Sequence, residues 1–131
     1  MENQPDDPPT SVYEAVGGEP FFVELVDRFY AGVAADDRLR PMYPDDDLAG
    51  AADRLRGFLV QYWGGPTTYS DERGHPRLRM RHAPFVIDHE AREAWLEHMD
   101  AALTAMAPDP AIDAAMREYF SMAATHMVNT V

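Results

Sequence analysis

Histidine and arginine crowd into one stretch of this chain. Arg73, Arg77, Arg79 and Arg81 fall within nine residues, His82 follows directly, and Pro76 and Pro84 bracket all of these but Arg73. Proline is tolerated in the first turn of a helix, where its missing N–H would have no partner, and it disfavours helix at the residue before it. The spacing therefore predicts a short helix with His82 in its last turn, one turn after Leu78. An imidazole on so short and rigid a piece can offer one ring nitrogen to a metal while an acceptor fixes the other. The plainer alternative is a histidine that complements the negative end of a helix. The arginines suit a small anionic group such as a carboxylate, gripped bidentately. For at least two of them a solvated face that balances nearby acids explains as much.

Three aromatic residues from three other segments carry the remaining candidate chemistry. Tyr30, Tyr43 and Trp95 each combine a large apolar body with a single polar donor that needs a partner once buried. For Tyr30 the bland alternative is a core tyrosine bonded to a backbone carbonyl. His75, His89, His98 and His126 show no zinc-ligand spacing, and His89 and His98 are placed near the polar side of their helix. Serine–histidine–aspartate, Walker A, dinucleotide-binding and H-E-x-x-H patterns are all missing. With no cysteine in the chain, a disulfide framework, thiolate catalysis, a cysteine-based metal site and covalent haem attachment are excluded. One imidazole, large apolar faces and cations for two propionates together suit a non-covalent haem.

The elements that must position these residues are helical. Ser11-Val12-Tyr13-Glu14 has the form of a capping box, and its helix should stop at Gly17-Gly18. A second helix follows Glu19-Pro20 to about Ala35, with Phe22, Val26, Phe29, Tyr30 and Val33 on one stripe. Pro41 and Pro44 confine 36–47 to an irregular connection, and Tyr43 before Pro44 is biased to an extended backbone. Leu48, Ala51, Leu55, Phe58, Leu59 and Tyr62 mark a third long helix that ends at Gly64-Gly65-Pro66. Residues 66–76 read as a loop. Asp88 is a plausible N-cap for a helix to about Met106, with Ala91, Trp95, Met99, Ala102, Leu103 and Met106 inward. Asp109-Pro110 opens the last helix, on which Ile112, Met116, Tyr119, Ala123 and Met127 keep helical spacing. Four substantial helices and no strand pattern make the chain all-α.

A length of 131 residues fits one domain able to bury a real core. The formal charge of −12 argues against nucleic acid and anionic membrane surfaces as partners. Residues 1–10 are acidic and proline-rich, without the features of a signal peptide, and are expected to be a disordered leader to a domain over 11–131. No apolar run has transmembrane length, so the expected compartment is the cytoplasm.

Gly17-Gly18, Arg28-Phe29-Tyr30, Tyr43-Pro44, Gln61 through Pro66, Gly74 through Phe85 and Trp95 together resemble the group II truncated haemoglobins. The similarity covers about residues 11–131. It implies a shortened globin, a two-over-two sandwich of helices around haem b, with His82 as the iron ligand. It further implies that Arg81, with Arg54 and Tyr69, meets the propionates, and that Leu55, Phe58 and Met80 contact the cofactor. Tyr30, Tyr43 and Trp95 would form a distal polar cage beside Ala51 and Leu55, with Ala51 where other globins carry a distal histidine. The implied ligands are O₂, CO and NO. Each hydrogen bond of about 1 to 1.5 kcal/mol to a bound ligand slows its release by roughly five- to twelvefold, which suits reaction or sensing better than delivery. Two functions stay open on the sequence: an oxygen-binding haemoglobin, and a haem enzyme for nitric oxide dioxygenation or for reduction of peroxide or peroxynitrite, with a reductase as electron donor. A homo-oligomer is left open as well. A helical interaction module without cofactor is the third alternative.

Overall fold

The computed structural model describes residues 11–43, 48–74 and 87–129. Its first helix, α1 (Val12–Ala15), is a single turn, too short to stand alone. Ser11 caps it by accepting a hydrogen bond from the Glu14 N–H at 3.1 Å, as the S-x-x-E pattern predicts. It is pinned from outside as well: the Tyr13 N–H donates to the Trp63 carbonyl at 2.9 Å. Gly64 makes that approach feasible, since a Cβ there would sit 2.5 Å from the Ser11 Cβ and its φ is +104°.

Helix α2 (Glu19–Ala34) starts at Gly18 with Pro20 in its first turn and buries Phe22, Leu25, Val26, Phe29 and Val33. Tyr30 is half-buried at the margin of that stripe. A single 3₁₀ turn, Arg40–Met42, follows, and Tyr43 after it is extended at φ −111° and ψ 139°, the conformation its position before proline favours.

Helix α3 (Leu48–Tyr62) buries Ala51, Phe58, Leu59 and Val60. The expected loop over 66–76 needs correcting, because Thr68–Arg73 form helix α4. Gln61 explains it: its Oε1 accepts from the Ser70 N–H at 2.9 Å and its Nε2 donates to the Ser70 hydroxyl at 2.7 Å, so tertiary bonds supply what a short polar helix lacks.

Helix α5 (His89–Met106) is capped by Asp88, which accepts from the Ala91 N–H, and ends at Ala107 in the left-handed region. Helix α6 (Pro110–Met127) is capped by Asp109. The chain end is fastened back, since Ile87 N–H donates to the Asn129 side chain and Asn129 N–H to the Ile87 carbonyl, both at 2.9 Å.

α2 packs on both α3 and α5, α5 packs on α6, and α4 lies against α3. The core between them is apolar throughout, with Phe22, Phe29, Phe120, Leu25, Leu59, Met99, Leu103 and Met116 among its fully buried side chains. No strand occurs among the described residues, and no described helix is long and apolar enough to cross a membrane. The expected all-α class is what the structure shows.

Candidate functional site

Phe29, fully buried on α2, is the floor from which the three donors are arranged. Its ring meets Tyr30 edge-on at 4.9 Å and Trp95 of α5 at the same distance, tilted by 58°. Tyr30 in turn meets Tyr43 edge-on at 5.7 Å. The Tyr30 side chain is hydrogen-bonded to the Tyr43 phenol, a bond that lowers the Tyr43 pKa against the larger upward push of burial. The net direction is upward, so Tyr43 is a neutral phenol at neutral pH. Tyr30 therefore meets its polar demand through a second tyrosine, where a backbone carbonyl was the bland expectation. Tyr43 is also held along its backbone: Arg40 Nη1 donates to its carbonyl at 3.0 Å.

α3, packed on α2, adds further core residues. Ala51 is buried at 7% exposure, and Leu55 one turn on is half-buried and packed on the core. Arg54 is half-buried beside it. Phe58 is buried and meets the Tyr69 ring of α4 edge-on at 5.8 Å, and Tyr69 itself is buried in the core, its ring against Gly57. His82, Arg81 and Met80 lie outside the described residues, as do His75 and the arginines at 77 and 79.

Two features went unanticipated. Tyr62 turns outward, half exposed, and stacks on Tyr119 of α6 at 4.1 Å with Trp63 edge-on to both. Burial, with Tyr62 nearby, pushes the Tyr119 phenol up to about 12. His98 does not lie on the polar side of α5. Its Nε2 is 2.6 Å from Asp36 Oδ2, and its ring covers Gly32 of α2 so closely that a Cβ there would meet Nδ1 at 2.3 Å. The same carboxylate accepts from the Arg38 backbone and guanidinium at 2.8 to 3.0 Å, and Arg38 reaches on to Glu97 at 2.5 Å. These donors hold the Asp36 carboxyl well below the usual carboxylate range, Arg38 first and His98 next. A signal existed in the sequence: position 98 lies three after Trp95 and four before Ala102, on the inward stripe.

The described helices, with Tyr30, Tyr43 and Trp95 clustered about Phe29, are those of a shortened globin. A family model described as bacterial-like globin matches residues 11–129. Group 2 truncated hemoglobin YjbI of Bacillus subtilis is 42% identical over 117 residues, covering 89% of this chain and 87% of that protein. A thermostable hemoglobin from the actinobacterium Thermobifida fusca superposes with a TM-score of 0.89 at 57% identity, over 92% of this chain and 98% of that one. The truncated oxygen-avid haemoglobin from Bacillus subtilis does so with a TM-score of 0.86 at 41% identity, over 92% and 100%. The chain belongs to the bacterial-like globins, and among them to the group II truncated haemoglobins.

Haem binding follows from that family. The described residues fit a flat apolar group with one polar face. Tyr30, Tyr43, Leu55 and Trp95 pack on the core yet stay partly exposed, so each keeps apolar surface that such a group could cover. Among the described residues of this cluster, the tyrosine hydroxyls and the indole N–H are side-chain polar groups.

Proposed function

We propose that the chain is an oxygen-binding haem protein that releases its ligand slowly. Haem b is the proposed cofactor, held by His82 at the iron, with Arg81, Arg54 and Tyr69 at the propionates and Leu55, Phe58 and Met80 against the ring. When bound it supplies a ferrous iron with one face open to O₂, CO or NO. Residues 11–131 are taken as one globin domain, working in the cytoplasm.

The observation that carries this reading is the hydrogen-bonded Tyr30–Tyr43 pair set with Trp95 around Phe29. In a pair of hydrogen-bonded phenols one hydroxyl donates to the other and the second keeps its hydrogen, so the Tyr30–Tyr43 pair has one phenol hydrogen left to donate to a ligand, and an indole N–H can only donate. Both donors belong to the aromatic cluster around Phe29, and in so apolar a setting a hydrogen bond to a polarised diatomic is stronger than in water. Ala51 presents only a methyl group, so ligand entry past α3 would need no swinging side chain. The Bacillus subtilis structure described as oxygen-avid supports the same reading for this fold.

Replacing Tyr43 or Trp95 by phenylalanine should accelerate O₂ release by about five- to twelvefold, the kinetic equivalent of one lost hydrogen bond. Stopped-flow release rates that stay unchanged in both variants would remove the cage.

A further inference from the structure

Two of the distal residues come from pieces of chain that the sequence does not hold together: Tyr43 from the connection after α2, and Trp95 from α5. Asp36 is where the two are joined. Its carbonyl accepts from the Arg40 N–H at 2.8 Å, the Arg40 carbonyl accepts from the Tyr43 N–H at 3.1 Å, and Arg40 Nη1 returns to the Tyr43 carbonyl. Its side chain reaches across to His98, one turn beyond Trp95 on α5, at 2.6 Å. The Asp36 carboxylate is only 9% exposed and the His98 side chain 21%. Gly32, two residues after Tyr30, leaves the space into which the imidazole fits.

We propose that His98 is a positioning residue for the distal site: its bond to Asp36 keeps the Trp95 turn of α5 and the Tyr43 connection in register, so that ligand release follows the protonation of this imidazole. The proposal rests on the oxygen-binding reading for its kinetic consequence, and on this chain alone for its geometry. Charged groups around His98 among the described residues include Asp36 and Arg38 from the connection and Glu97 from α5, while on α2 its ring lies against Gly32. Asp36 and Arg38 remain ionised across the neutral range, Asp36 because its pKa is lowered and Arg38 because its pKa is raised. Imidazole is the side-chain type whose charge ordinarily changes there. As an imidazolium, His98 holds Asp36 through an ion pair, and as a neutral ring through a hydrogen bond alone. The latch is therefore tighter on the acid side and loosens as pH rises.

The test is the pH profile of O₂ release from the ferrous haem-loaded protein between pH 5.5 and 8.5, a window set about the ordinary histidine range. The wild-type rate should rise with pH by about two- to fivefold, the worth of a partly exposed ion pair. His98→Gln, which keeps a neutral donor, should give a flat profile. Gly32→Ala should flatten it too, by displacing the ring while leaving every titrating group in place, and alanine suits a helix interior. Profiles in both variants that track the wild type would overturn the proposal. A second readout needs no haem: in the cofactor-free chain, the Trp95 indole N–H resonance, assigned by its loss in Trp95→Phe, should move with the titration of His98. An indole signal that ignores that titration overturns the positioning claim, whereas a chain that refuses haem but shows the coupled shift overturns only the oxygen-binding reading.

Discussion

Tyr30 shows how one hydroxyl changes what a helix can do. Phenylalanine there would keep the edge-on contact with Phe29 and lose the bond to Tyr43. Tyr30→Phe should therefore raise the Tyr43 pKa, because the contribution that opposed burial is gone, and should let the Tyr43 hydroxyl rotate away from the ligand. Ligand release should quicken, but by less than in Tyr43→Phe, and stopped-flow comparison of the two variants checks the order. At this scale much was legible. Tyrosine and tryptophan at inward positions advertise a polar need, and Pro44 fixed the backbone of Tyr43. What could not be read was the partner, since a spacing of thirteen residues between Tyr30 and Tyr43 says nothing about their rings meeting at 5.7 Å. His98 was misplaced because a polar type outweighed an inward spacing.

Elements are tied to one another chiefly at their ends. Asp36 at the end of α2 serves α5 through His98 and its own connection through Arg38. Its carboxyl has a lower pKa in the folded chain than in the unfolded one, so it contributes stability above the ordinary carboxylate range. That contribution is lost as pH falls below about 4 toward the folded-state value. Wild-type protein should be more stable than Asp36→Asn at neutral pH, with the gap closing in acid, as followed by denaturant unfolding at several pH values. An equal gap at all pH values would show that the carboxylate's charge contributes nothing. The long helices were legible because apolar spacing at three and four persists over many turns, and Asp88 and Asp109 cap where expected. α4 was not, because one buried aromatic, Tyr69, among five polar residues carries no period, and the Gln61 side chain that holds the helix to α3 is nine residues from Ser70. Phe120 of α6, fully buried against Trp95 and Tyr119, was likewise missed beside the stripe of Met116 and Tyr119.

Among the described residues, the molecule sets a cluster of partly exposed aromatic side chains at the margin of a small apolar core. α2 is its hinge of construction, burying Phe22, Leu25, Val26, Phe29 and Val33 against α3 and α5 while holding Tyr30 at the edge. A globin of this size has few side chains to spare, so the packing of the core and the placing of the aromatic cluster are one problem. Fold class followed from four amphipathic helices. The particular globin followed from the motif around Tyr62 to Phe85, which contains the residue that no periodicity could assign to a cofactor. His82 is that residue, and its bond to haem iron is the central claim. The most direct measurement is the absorption spectrum of the haemin-reconstituted protein, reduced and then exposed to carbon monoxide, for wild type and His82→Ala. The account predicts a five-coordinate ferrous spectrum in the wild type that converts fully to a CO complex, and loss of stable haem or of that spectrum in the variant. Identical spectra and haemin titrations for the two proteins would contradict it.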